Sequence, residues 1–197
     1  MKTLALFSLL AVAACVAPTA SAASITNGGF ETGDLTGWTV NTCSSPACAV
    51  QGWGVSNALP QSGTFAATTL CVDVACLNPI TGDTLSQVPT GVVNGTSYAF
   101  SIGINPEQAG CSTCQIDIYW GGVLRASYVS LAAGYTNHAL SLVGGAGNGS
   151  NILLIAGRHD PATMYIDNVS FGDSVPEPAT FALAGLALAG LVFARRR

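Results

Sequence analysis

The stretch QIDIYWGGVLRASYV, Gln115 to Val129, decides the fold. Ile116, Ile118 and Trp120 alternate with Gln115, Asp117 and Tyr119. Successive strand side chains point to opposite faces, so this is a strand with one apolar and one polar face. Gly121-Gly122 suits the tight two-residue turn of a hairpin, and VLRASYV then runs back as the antiparallel partner. Outward from this hairpin the pattern repeats. In YAFSIGI, Tyr98, Phe100, Ile102 and Ile104 share one side. GWTV, AVQGWGVS, GTFAATTLCVDV, GDTLSQVP, YTNHALSLV, NILLIAG and MYIDNVSF are further short β-type runs separated by turn residues. No amphipathic helix period interrupts them. Eight or nine strands at this spacing predict an all-β chain, two antiparallel sheets packed face to face in a jelly-roll-like β-sandwich over residues 23–173.

The two ends read differently. Lys2, the apolar Leu4 to Ala14 and the small residues Ala20-Ser21-Ala22 form the order of a secretory signal peptide over residues 1–22. VAAC, ending at Cys15, loosely resembles a lipoprotein cleavage site, but the Ala20-Ser21-Ala22 site is better placed. At the other end, residues 174–197 hold VPEP, an apolar run over 179–194 and three arginines. As a helix that run is about 24 Å long, short of a bilayer core of roughly 30 Å. Arginines that snorkel cover the shortfall and hold their end cytoplasmic.

Between the ends, the only cations are Arg125 and Arg158, against nine acids, a formal charge of −7. Two cations cannot neutralise a row of phosphates, which makes nucleic acid and anionic lipid poor partners. Six cysteines remain beside Cys15: Cys43, Cys48, Cys71, Cys76, Cys111 and Cys114. An even number in an exported chain predicts disulfides, and the spacing favours three local bridges. CSTC is also a possible zinc knuckle, although no second CxxC or nearby His accompanies it.

The tail resembles the PEP-CTERM sorting signal of Gram-negative bacteria, carried by Val175, Pro176, Glu177 and Pro178, the Ala/Leu/Gly run, and Arg195, Arg196 and Arg197. That resemblance implies a precursor parked in the inner membrane through its C-terminal helix and processed by an exosortase. The product is released to the cell surface or extracellular matrix and tied to exopolysaccharide and biofilm. The body resembles galactose-binding-like carbohydrate-binding jelly rolls. NGGFETGDLTGWTV (27–40), QSGTFAA (61–67), DTLSQ (83–87) and GRHDPATMYIDNVSF (157–171) carry the likeness by their order. It implies a non-catalytic module that binds polysaccharide, with Glu31 and Asp167 as ligands of a structural calcium and no other cofactor. Such a pair also fits hard-cation chemistry, and pairing of the first and last strands would bring the two acids together. A structural matrix protein without a discrete ligand, and a secreted hydrolase, are the alternatives.

Single residues sharpen this. Trp53, between two glycines, Tyr119 and Tyr128 are the candidate aromatic platforms for a sugar ring, with the two tyrosines facing out. Trp38 and Trp120 read as core. GRHDP sets Arg158, His159 and Asp160 side by side, but adjacency along a strand does not build a catalytic site. GxSxG, HExxH and P-loop motifs are absent.

Overall fold

The computed structural model describes residues 23–43, 52–108, 111, 113–129, 131–159 and 163–174. Within them the chain forms β1 (Thr39–Asn41), β2 (Trp53–Ser56), β3 (Ala66–Thr69), β4 (Thr84–Gln87), β5 (Ser97–Pro106), β6 (Gln115–Trp120), β7 (Val123–Val129), β8 (Thr136–Val143), β9 (Leu153–Arg158) and β10 (Met164–Ser174). A single 3-10 turn, Val74–Leu77, stands between β3 and β4. Two five-stranded sheets result, ordered β1-β4-β9-β6-β7 and β2-β3-β10-β5-β8, with every pairing antiparallel. The expected β-sandwich is therefore present, with ten strands among the described residues rather than eight or nine.

The hairpin that fixed the reading forms as expected. Gly121 and Gly122 take φ of 55° and 76°, the left-handed pair that lets β6 turn directly into β7. Ile116, Ile118 and Trp120 are fully buried, as are Phe100, Ile102 and Ile104 of β5 opposite them. Each such side chain contributes roughly 1.5–3 kcal/mol of hydrophobic stabilisation. On the other face of β6, Asp117 is only 5% exposed, so the face read as polar is itself partly covered. Its cover is the segment around the 3-10 turn, which packs on β9 and whose Leu77 carbonyl accepts from Tyr119 Oη at 3.4 Å.

Two cysteine pairs close as the spacing favoured: Cys71 with Cys76, and Cys111 with Cys114. The second bridge removes CSTC from consideration as a zinc knuckle. Cys43 is disulfide-bonded, and Cys48 lies outside the described residues. So do the signal peptide, VPEP, the apolar run over 179–194 and the three arginines. Among the described residues no helix is long and apolar enough to cross a membrane.

One expectation fails. The first and last strands do not pair: β1 joins β4 in one sheet, while β10 lies between β3 and β5 in the other. The segment before β1 is a loop, because Asn27 and Phe30 take left-handed φ of 51° and 57° and break any ladder. Its backbone hydrogen bond to β10 is from Val169 N–H to Gly28 O, at 2.9 Å.

Candidate functional site

The four motifs behind the jelly-roll resemblance converge on this N-terminal loop. Asn27 folds it: Nδ2 donates to the carbonyls of Asp34 and Thr36, while the Asn27 carbonyl accepts from Trp38 Nε1. Phe30 and Trp38 are buried and stack at 5.8 Å. Gln87, at the end of β4, accepts from Thr26 N and donates to the carbonyls of Thr26 and Gly37. Glu31 accepts from the amides of Thr64 and Phe65. Asp167, fully buried, accepts from Gln61 and Ser62 through Oδ2 and from Asn168 through Oδ1. Glu31 and Asp167 therefore meet, but through a shared 61–65 loop and not through paired strands. Burial pushes the Asp167 carboxyl above its usual range; the backbone donors oppose this and the Glu31 charge adds to it. Among the described residues no group of three or more His, Cys, Asp or Glu side chains gathers there. Calcium at this point would rest on two carboxylates and backbone carbonyls.

The aromatic candidates separate. Trp53 is 7% exposed and donates from Nε1 to Asp83 O at 3.1 Å. Its ring lies in the core, because β2 turns it inward, so it offers no face to a ligand. Tyr128 also points inward: it opposes buried Ile116 across β6 and β7, and its ring sits 4.0 Å from that of His138 on β8. The expectation that it faces out is corrected, since in β7 it occupies the inward phase of the alternation. Tyr119 does face out, half-buried on the outer face of the β1-β4-β9-β6-β7 sheet. There it shares a surface with Gln115 and Asp117 of β6 and with Leu154 and Arg158 of β9. Gln115 Nε2 donates to Asp117 Oδ1 at 2.8 Å and to Ser127 Oγ at 3.0 Å. Arg158 Nε donates to Val72 O. Amide, phenol and guanidinium groups are thus held on strands at the border of the 72–77 segment, which covers Asp117 and accepts from Tyr119 and Arg158.

The outer face of the other sheet holds a feature that no spacing of residues announces. An open cavity of about 510 Å³ is lined by Gly28, Gly29, Gln61, Ser101, Asn137, Asn168, Val169 and Ser170. A β-bulge at Asn168 and Val169 shifts the register of β10 against β5, and Asn168 has φ of 50°. Bulges re-aim side chains in this way. Six of these residues, Gly28, Gly29, Gln61, Asn168, Val169 and Ser170, fall within the motifs, but nothing in their spacing distinguishes a cavity wall from a turn.

The segment GRHDP builds no catalytic group among its described residues. Arg158 and His159 end β9 pointing to opposite sides; His159 is buried and neither ring nitrogen has a partner among the described residues. Nearby, Asp83 is fully buried, accepts only from Thr69 Oγ1, and leaves Oδ1 without a partner.

Residues 174–197 match the family model for the PEP-CTERM protein-sorting motif. The chain carries that sorting motif. No curated protein sequence matches the chain. Among solved structures, a family 16 carbohydrate-binding module is 12% identical with a TM-score of 0.52, over 75% of this chain and 97% of that one. The tandem family 22 modules of Paenibacillus barcinonensis Xyn10C are 15% identical with a TM-score of 0.53, over 82% of this chain and 48% of that one. The enzymatically active domain of tailspike protein 4 from bacteriophage CBA120 is 15% identical with a TM-score of 0.52. The match spans 76% of this chain but only 21% of the tailspike. At these identities the likeness is one of fold, the jelly-roll sandwich.

Proposed function

We propose that this is an exported, non-catalytic carbohydrate-binding protein, sorted through its PEP-CTERM motif and presented to polysaccharide outside the cell. The observation that carries the reading is the outer face of the β1-β4-β9-β6-β7 sheet, where Gln115, Tyr119 and Arg158 stand half-buried on two adjacent strands, beside the segment that covers Asp117. Strand-borne groups are held rigidly, and a mixture of amide, phenol and charge matches the hydroxyls and apolar ring faces of a sugar. The shared architecture with carbohydrate-binding modules supports it. A panel of soluble polysaccharides tested by affinity electrophoresis checks it: binding that weakens at least tenfold in Tyr119→Ala and Arg158→Ala is expected. Absence of binding to any glycan overturns it. A matrix role without a ligand is then what remains, read from a deletion that alters biofilm.

The routing is part of the same proposal. An exosortase would act at Val175, Pro176, Glu177 and Pro178, with residues 179–194 held in the inner membrane and Arg195, Arg196 and Arg197 on the cytoplasmic side. The product would reach the surface or matrix of a Gram-negative cell, beside its exopolysaccharide. Intact mass of the exported protein reports it: loss of the tail is expected, and a mass retaining all three arginines overturns it.

We also infer a structural calcium between Glu31 and Asp167. Two carboxylates brought to one loop, one of them fully buried, support it. Chelator is expected to lower Tm by several degrees, and an unchanged Tm overturns the calcium.

A further inference from the structure

We propose that the cavity on the outer face of the β2-β3-β10-β5-β8 sheet is a second binding site, distinct from the Tyr119 face, and that it takes an uncharged sugar. Its volume of about 510 Å³ falls within the roughly 300–1,000 Å³ of small-molecule sites. Its walls are fixed by the fold. Gly28 packs on the Val169 carbonyl so closely that any side chain there would collide with it, and Gly103 makes room in the same way for Gln61. The 61–62 loop that forms one wall is clamped by the buried Asp167 carboxylate.

The hydrogen-bonding groups are disposed for hydroxyl recognition. Gln61 Nε2 donates to Asn137 Oδ1 at 2.8 Å, and Ser62 Oγ donates to Asn168 Oδ1 at 2.8 Å. Each amide oxygen accepts one of these bonds and keeps a lone pair, and the Nδ2 groups of Asn137 and Asn168 are donors turned to the cavity. Ser101 and Ser170 face each other across β5 and β10 with Oγ atoms 2.7 Å apart. One hydroxyl hydrogen closes that pair, and the second, together with the remaining lone pairs, is turned to the ligand. Donors and acceptors a few ångströms apart, without an ionised group among them, match a ring bearing several hydroxyls.

Charge sets the class more narrowly. None of the eight lining residues is charged. Of the cations in residues 23–174, Arg125 lies on β7 and Arg158 on β9, both in the other sheet. A uronate or sulfated sugar would find no counter-ion there and would lie beside the carboxylates of Asp167 and Glu31. The site therefore selects neutral sugars, whereas the opposite face, with Arg158, has a cation to offer. Because the two sheets lie back to back, a protein with both sites would hold two glycan strands at once, with the gain in avidity that simultaneous engagement gives.

Amide chemical-shift mapping on the isotope-labelled full-length protein tests this, with neutral gluco-, manno- and galacto-oligosaccharides and a matched oligouronate as probes. Shifts that saturate and cluster at Gly28, Gly29, Ser101, Asn137, Asn168 and Ser170 with a neutral probe, at least tenfold weaker with the uronate, are the expected result. Ser170→Trp, which plugs the open rim, is expected to remove them and leave any response at Gln115 and Tyr119 intact. Shifts confined to the Tyr119 face overturn the cavity and leave the proposed function standing. No shifts with any probe overturn both, and an equal response to the uronate overturns the neutral specificity. Since the mapping is made on the unmodified chain, a variant that fails to fold does not spoil it.

Discussion

Two buried aspartates show how differently the two flanks of this sandwich are held. Asp167, beside the N-terminal loop, accepts three backbone N–H groups that share both its oxygens. Asp83, beside the Cys71–Cys76 bridge, is equally hidden but accepts one hydroxyl and leaves an oxygen unpartnered. The first flank has no cysteine among its described residues and is knitted by polar contacts between segments 61 to 106 residues apart. The second is closed covalently over separations of 5 and 3 residues. Burial raises both carboxyls, but at Asp167 three amides oppose the rise and tie the chain to the carboxylate. At Asp83 a single hydroxyl opposes it, and a nearby crosslink holds the loop in place.

The largest test of that contrast is Asp167→Ala. It strands the amides of Gln61 and Ser62, and a loss of about 3 kcal/mol in denaturant unfolding is expected. A loss under about 1 kcal/mol would mean that the loop finds other acceptors and that the flank does not depend on this residue.

Asp83→Asn is expected to act in the opposite direction. Burial pushes the Asp83 carboxyl up to about 6, with the Thr69 hydroxyl opposing. A raised folded-state value means that its contribution is fully present below the ordinary 3.8 and is lost as pH rises through about 6. The variant should therefore gain about 2 kcal/mol over the native chain at pH 8 and nothing at pH 3.5. Equal stability at both pH values would put the charge in contact with a partner and end the contrast.

Replacing Cys71 and Cys76 together by Ser is expected to cost less, roughly 1–2 kcal/mol, because a short loop restrains little of the unfolded chain. Its sharper readout is hydrogen exchange: faster exchange should stay within residues 71–82, and a uniform rise across both sheets would contradict a local brace. The smallest expected effect concerns His138, whose ring is pushed below its usual range by burial against Tyr128. A depressed value stabilises the fold above about 6.5 and loses that contribution as pH falls through the folded value. His138→Gln should flatten the acid limb of a Tm–pH profile, and an unchanged limb would place the pH dependence elsewhere.

Much of the architecture was legible in residues alone. The alternation in Gln115–Trp120 and Tyr98–Ile104, and the glycine pair at 121–122, announced strands, faces and a hairpin, because each signal is local and backbone geometry converts it directly. Two of the three local disulfides that the spacing favoured form among the described residues. The candidate sites were legible only in part. Tyr119 faces out as its alternation required. Tyr128 does not, because it opposes Ile116 across the hairpin, and Arg125, left unpaired at the irregularity in β7, is visible only in the paired strands. Trp53 gave no local clue that its indole N–H would be taken up by Asp83, thirty positions away.

By itself, then, the sequence determined the fold class, the short covalent closures, the lack of cations in the body and the sorting motif of its tail. Each depends on composition or on neighbours a few residues apart. Only the tertiary structure decided that Glu31 and Asp167 meet on a third segment, and that a bulge at Asn168 opens a neutral cavity beside them. Those outcomes depend on which strands become neighbours and in what register. That choice is made by burying side chains from the whole chain at once, and no local stretch carries it.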